Sequence, residues 1–136
     1  MTRQRRLAVL LTAWVTLTLT WSATAIAAQT FYVSPSGNDA ADGTSKKKAW
    51  RTLDRVALQP FVAGDQILLE GGGVHHGSIQ LGPDRSAGQI EIGAYGEGRA
   101  VIDAGPGPGI IIANLSGVKI SSLEICGSGQ ETNTAD

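Results

Sequence analysis

The feature that most constrains this chain is a series of short alternating segments, joined by turns that all contain glycine. From residue 64 onward, apolar and polar residues alternate with a period of two, which is typical of β-strands with one buried face. Six segments carry this pattern: Gln66–Leu69, Ser78–Leu81, Gln89–Ala94, Ala100–Asp103, Gly109–Ile112 and Val118–Ile125. The sequence therefore predicts strands rather than helices for this part of the chain.

The spacing of the segments predicts how they assemble. Two series of aliphatic residues recur with a common period of about 22 residues: Ile67, Ile90, Ile111 and Ile79, Val101, Leu123. Such a period is typical of a solenoid, in which each turn of the chain stacks on the one before. A hairpin-based β-sandwich, whose strands recur at intervals of about 8–12 residues, is the alternative. We therefore predict a solenoid with Gln80, Glu91 and Lys119 in a row on its outer surface.

The residues before 64 have a different pattern. Phe31–Val33 is a short aromatic and β-branched run, which indicates a strand, and a cluster of turn-forming residues follows it. In Ala49–Leu58, the side chains of Trp50, Leu53 and Val56 fall on one face at helical spacing. We expect one short helix there.

The N-terminus has the pattern of an export signal. Three arginines precede the apolar run Leu7–Trp21, and Ala25 and Ala27 supply the small residues that signal peptidase requires. We predict a signal peptide over residues 1–27, with an uncleaved anchor helix as the alternative. The protein is then secreted or periplasmic and keeps no stable membrane span. The mature chain divides into residues 28–63, with the strand, loop and helix, and residues 64–136, with the repeats.

Charge and cysteine content exclude several functions. Loss of residues 1–27 leaves eight Lys and Arg against twelve Asp and Glu. This negative net charge disfavours nonspecific binding to nucleic acid. The single cysteine, Cys126, excludes an internal disulfide and a cysteine-based zinc site. We expect Cys126 to be a small buried residue.

Three stretches resemble a known family, the right-handed parallel β-helix proteins of the pectate-lyase-like superfamily. Residues 31–53 resemble the strand, loop and capping helix of these proteins, residues 63–72 their first coil, and residues 90–127 their second and third coils. The resemblance implies an all-β parallel β-helix with an N-terminal cap helix and about three coils. Because family members are several-fold longer, it also implies a truncated N-terminal fragment. Its open end would then invite self-association.

The resemblance also implies a function connected with polysaccharides. The leading hypothesis is the N-terminal part of a polysaccharide lyase acting on acidic glycans, with calcium as the cofactor that the family suggests. The alternatives are a non-catalytic carbohydrate-binding or cell-surface module and an inactive fragment. Whether the chain is an enzyme stays open. No residue is assigned as catalytic, cofactor-binding or metal-binding from the sequence.

Several side chains are nevertheless candidates for chemistry. Lys119, with Glu124 on the following strand, and Arg99 are possible bases for elimination, although solvated surface roles suit both better. Hydrolysis of a glycosidic bond requires a pair of carboxylates, and the candidates are Glu91, Asp103 and Glu124. Glu91 and Glu124 are expected on one side of the stack.

Two further groups contain metal-ligand residue types. Asn38, Asp39 and Asp42 offer oxygen ligands for calcium, but hydrogen bonds to the loop backbone are the simpler role. His75 and His76 are adjacent on an extended segment, so their side chains are expected on opposite faces and cannot jointly hold one ion. Asn114 belongs to a glycosylation sequon, and a left-handed turn conformation is its simpler role.

Overall fold

A computed structural model describes residues 27–82 and 88–127, which form a mostly β protein with few helical residues. All of the predicted signal peptide except its last residue lies outside the described residues. The elements of the described part are a 3-10 helix (Lys46–Lys48), α1 (Leu53–Ala57) and strands β1 (Thr30–Val33), β2 (Gln66–Glu70), β3 (Val74–His76), β4 (Ile79–Leu81), β5 (Ile90–Tyr95), β6 (Ala100–Asp103), β7 (Ile110–Ile112), β8 (Val118–Ile120) and β9 (Leu123–Cys126).

The strands form three parallel sheets. The first sheet has the order β1-β2-β5-β8, the second β3-β6-β9 and the third β4-β7. From β2 onward, successive strands enter the first, second and third sheets in turn, and each strand pairs with the one three places further along the chain. Since consecutive strands from β2 to β9 do not pair with each other, the hairpin-based sandwich is excluded for the described residues.

Aliphatic side chains stack in register inside the sheets. In the first sheet Ile67 lies opposite Ile92, and Ile92 lies opposite Ile120. Ile67 and Ile92 are fully buried, as are Ile79 in the third sheet and Ile102 in the second. Full burial of such a side chain contributes roughly 1.5–3 kcal/mol, so these stacks are the main source of stability of the repeats.

The predicted constant period is wrong. Ile67 pairs with Ile92 rather than with Ile90, and Ile79 pairs with Ile110 rather than with Val101. The number of residues between paired positions therefore differs between the first and the third sheet. Ile90 and Ile92 are both buried because residues two apart on a strand share a face, and alternation alone therefore does not determine the register. The connecting turns also differ in length, and the repeat is irregular.

Two other strand predictions differ from the structure. Strand β3 was not predicted, because its three residues follow Gly71–Gly73 and carry two histidines. Val118–Ile125, predicted as one strand, is two: β8 and β9 belong to different sheets, and the chain bends between them at Ser122, whose φ is 56°. The bend moves the chain from the first sheet to the second.

The predicted helix is shorter than expected. Helix α1 starts at Leu53, where the Thr52 Oγ1 atom accepts a hydrogen bond from the Arg55 backbone N–H at 3.3 Å. Trp50 is not helical: it forms a parallel bridge with Val33, and its buried ring stacks on Phe31 with 5.1 Å between ring centres. The extended pairing with the first strand therefore prevails over the helical spacing of residues 49–52.

The last strand of each sheet exposes its inward side chain. Ile112, Ile120 and Ile125 are 39%, 46% and 51% exposed, whereas the residues opposite them on the preceding strands, Leu81, Ile92 and Ile102, are at most 2% exposed. These three isoleucines form an apolar end face. Self-association through this end stays a prediction.

Two single-residue predictions have different outcomes. Asn114 has φ of 54°, which confirms the left-handed turn conformation. Cys126 is exposed, so its prediction as a buried residue is wrong. It lies opposite Asp103 on the outward face of the second sheet, where the alternation of β9 directs its side chain to solvent.

Neither helical segment of the described residues has the length and apolar character needed to cross a membrane.

We predict that Gly43→Ala destabilises the protein by roughly 2–4 kcal/mol, because backbone strain and overpacking add together. Gly43 has φ of +74°, and an added Cβ would lie 2.4 Å from the fully buried Trp50 ring. Urea unfolding measures the effect. The control is Gly107→Ala, where the nearest atom to an added Cβ is 3.8 Å away and φ is not positive. Equal stability of the two variants would contradict the packing described around Trp50.

Candidate functional site

Four outward side chains form a row across the first sheet. Thr30, Gln66, Glu91 and Lys119 occupy matching positions on β1, β2, β5 and β8. The Thr30 hydroxyl donates to the Gln66 Oε1 atom at 3.2 Å, and the Gln66 amide donates to Glu91 at 3.2 Å. The Lys119 ammonium lies 3.2 Å from the other Glu91 oxygen. The row is thus a continuous chain of polar contacts on the protein surface.

The predicted outer row is correct for only two of its members. Glu91 and Lys119 are neighbours, but Gln80 lies on β4 in the third sheet, opposite Ile111. Gln66 takes the place predicted for Gln80. The alternation around Ile67 identifies Gln66 as an outward residue, but only the register places it beside Glu91.

A groove of about 190 Å³ runs beside this row. Its lining consists of Gly64, Asp65, Gln66, Gln89, Ile90, Glu91, Gly117 and Lys119. Gly117 makes the turn before β8 with φ of +82°, and a Cβ there would lie 2.7 Å from the Gln89 side chain. Glycine therefore keeps this edge of the groove open.

Asp65 supplies a buried carboxylate to the groove lining. Its two oxygens accept hydrogen bonds from the Gln29 and Val62 backbone N–H groups, each at 2.8 Å. These bonds hold the turn before β2 against the chain segment that precedes β1. Asp65 is 3% exposed, so its role is to shape the groove rather than to contact a ligand.

An aromatic cluster lies on the same sheet face, at the other end of the strands. The Tyr32 and Tyr95 rings meet edge to face at 5.2 Å, and the Lys46 ammonium lies 5.4 Å from the centre of the Tyr95 ring. Ser34 donates a short hydrogen bond to the Glu70 carboxylate on the strand between them. Burial, together with the negative charge of Glu70, raises the pKa of the Tyr95 hydroxyl above its ordinary value.

The candidate bases for elimination are not brought together. Lys119 lies in the first sheet beside Glu91, whereas Glu124 lies on β9 in the second sheet, opposite Val101. Glu124 is on the strand that follows that of Lys119, as expected, but this strand belongs to a different sheet. Arg99 is exposed, and its backbone carbonyl accepts a hydrogen bond from the Gly72 N–H.

The candidate carboxylates for hydrolysis are also separated. Glu91 belongs to the first sheet, while Asp103 and Glu124 belong to the second, so the expectation of Glu91 and Glu124 on one side of the stack is wrong. Asp103 instead lies 3.2 Å from the exposed His76 ring.

The three oxygen-bearing side chains of the N-terminal loop hold the loop itself. Asn38 accepts from the Ala40 N–H two residues on, and Asp42 accepts from the Thr44 N–H and hydroxyl, which confirms the predicted backbone role. The bonds from Thr44 and the Lys48 ammonium lower the pKa of Asp42 to about 2.

Asp39 connects this loop to the start of helix α1. Its carboxylate accepts from the backbone N–H groups of Arg51 and Thr52 and from the Thr52 hydroxyl, all within 2.9 Å. Partial burial opposes ionisation of Asp39, but these bonds outweigh it and lower the pKa of the carboxyl. Across the described ranges, no three His, Cys, Asp or Glu side chains are grouped so as to hold a metal ion.

The two adjacent histidines point to opposite faces, as predicted. His76 is exposed, whereas His75 is 3% exposed and lies opposite Ile102. The His75 Nε2 atom is 3.2 Å from the Glu70 carbonyl, and the buried Nδ1 atom has no hydrogen-bond partner among the described residues. Desolvation by burial lowers the pKa of His75 below its ordinary value. His75 is therefore a core residue whose burial favours the neutral imidazole.

Comparisons with known proteins identify a structural likeness. No protein-family model matches the chain, and no curated protein matches it. Two crystal structures of GH136 lacto-N-biosidase from Eubacterium ramulus are similar in structure. The selenomethionine derivative has a TM-score of 0.63 and 24% identity over 79% of this chain, and the native protein a TM-score of 0.61 and 21% identity over 76%.

The likeness is one of fold and is partial. The matched region covers 22% of one lacto-N-biosidase chain and 21% of the other. It supports a β-rich fold that a carbohydrate-active enzyme also uses, and it does not extend to membership of the pectate-lyase-like superfamily.

We predict that His75→Leu raises the free energy of unfolding by about 1 kcal/mol at pH 7.5. The substitution removes the buried Nδ1 atom, which has no hydrogen-bond partner among the described residues. The Glu70 carbonyl keeps its bond from the Gly73 N–H. Because the pKa of His75 is lower in the folded state, the unfolded chain protonates first, and wild-type stability falls as the pH drops below about 6.5.

Urea unfolding at pH 7.5 and 5.5 measures both effects. The chain has two histidines, so His76→Gln is the matched control and should keep the loss of stability at pH 5.5. An unchanged pH dependence in His75→Leu would contradict the burial of His75.

Proposed function

We propose that this chain belongs to an exported parallel β-helix protein that binds a polysaccharide along the outer face of its first sheet. The observation that carries this proposal is the row of Thr30, Gln66, Glu91 and Lys119, linked by polar contacts beside the groove. Sugars present hydroxyl groups that both donate and accept, and the amide, carboxylate and ammonium groups of the row supply matching acceptors and donors.

The strand order supports the solenoid part of the proposal. The chain passes through the first, second and third sheets in a fixed cycle, and every pairing is parallel. Successive passes of this kind stack each turn on the last, so the outward residues of one sheet form a surface along the stack. A linear polymer lying across the strands meets one residue from each turn.

The structural likeness to a lacto-N-biosidase supports a carbohydrate ligand. A fold can serve many functions, so this support concerns the class of ligand and not the reaction. Export rests on the sequence of residues 1–27, and an extracellular or periplasmic location would bring the groove into contact with cell-wall or environmental glycans.

Lyase activity on an acidic glycan stays a prediction. The contacts within residues 27–82 and 88–127 do not favour it. The candidate base Lys119 is ion-paired with Glu91, and a protonated lysine cannot accept a proton. Binding without bond cleavage needs only the row and the groove. We therefore propose binding, in preference to catalysis, as the function of the described residues.

We predict that Gln66→Ala weakens glycan binding about 5- to 10-fold, since it removes a central member of the row and its ligand-facing amide. Affinity electrophoresis of the full chain through gels containing galactan, mannan, polygalacturonate or alginate measures the retardation.

The matched control is Gln80→Ala, which removes the same side chain from an exposed position in the third sheet. It should migrate like wild type. Equal retardation of both variants would place the ligand elsewhere, and no retardation of wild type in any gel would overturn the proposed function.

A further inference from the structure

We infer that the groove beside the Gln66–Glu91–Lys119 row selects neutral glycans over polyuronates. The inference rests on the proposed function, because it names the class of ligand for that groove. Three properties of the described residues carry it: the charges of the lining, the existing bond of its ammonium group, and the hydrogen-bonding capacity that remains.

The lining carries more negative than positive charge. Asp65 and Glu91 contribute two carboxylates, and Lys119 contributes the single ammonium. Glu70 and Lys46 lie at the other end of the sheet face. Glu70 is about 13 Å from Gln66 along β2, beyond the Debye length of about 8 Å at physiological salt. The described lining therefore offers no surplus of positive charge to an anionic sugar.

The one cation of the lining is already engaged. Lys119 lies 3.2 Å from Glu91, and this contact links β8 to β5. A uronate carboxylate that contacted this ammonium would lie close to the Glu91 carboxylate, because Lys119 already contacts Glu91. Two carboxylates would then share one cation, and the repulsion between them would oppose binding.

The remaining hydrogen-bonding capacity fits a hydroxyl group. Each Glu91 oxygen accepts one bond from the protein, from Gln66 or Lys119, and has a lone pair left to accept another. Gln66 has a second amide N–H to donate. An alcohol both donates and accepts and can satisfy these two residues together. A uronate has a carboxylate, which only accepts, in place of one hydroxyl of the neutral sugar, so it offers the Glu91 lone pairs one donor fewer.

The test compares pairs of polymers that differ in charge. The full chain is passed through affinity gels containing β-mannan, polymannuronate, galactan or polygalacturonate at low and physiological salt. We expect wild type to bind the neutral member of at least one pair tenfold or more tightly than its uronate counterpart. Glu91→Gln removes one carboxylate and frees Lys119, so it should gain polyuronate binding that salt weakens.

The matched control is Glu124→Gln, which makes the same chemical change on the second sheet and should keep the wild-type preference. Equal or tighter binding of wild type to a uronate polymer would overturn the inference while leaving glycan binding in place. A preference that Glu91→Gln leaves unchanged would overturn the role of Glu91. Absence of binding to all four polymers by folded protein would overturn the proposed function, and the inference with it.

Discussion

Parallel pairing of strands three places apart in the chain is the constraint on which the other features of the molecule depend. It stacks Ile67, Ile92 and Ile120 in one line, so that each strand buries the aliphatic side chain of its predecessor. The same register fixes the outward residues, because successive side chains on a strand point to opposite faces. The core and the outer surface are thus two results of one alignment.

The candidate site follows from that alignment and adds specific polar contacts to it. Gln66, Glu91 and Lys119 are far apart in sequence, yet they are neighbours because their strands are paired. Each side chain of the row contacts the next, which restrains their relative positions. Restrained groups lose less conformational entropy on binding, and this supports the proposed role of the row in glycan binding.

The sequence predicts most strands well and the register poorly. Ala100–Asp103 is a strand with the predicted bounds, because four alternating residues stand between two turns. The spacing predicts Ile90 instead of Ile92 as the partner of Ile67, since these two residues share a face and only the turn lengths distinguish them. The predicted outer row contains Gln80 in place of Gln66 because alternation does not show which sheet a segment joins, and β4 belongs to the third sheet. Trp50 had helical spacing, but its bridge to Val33 depends on a contact between distant segments that periodicity does not reveal.

The most direct test of this account is the register of the first sheet, because the core stack and the polar row both depend on it. Isoleucine methyl groups labelled with ¹³C in an otherwise deuterated full chain allow nuclear Overhauser contacts to be assigned between strands. Paired residues on neighbouring strands lie about 4.8 Å apart, so the account predicts strong contacts from Ile67 to Ile92 and from Ile92 to Ile120. Strong contacts from Ile67 to Ile90, without contacts to Ile92, would contradict the register and the site built on it.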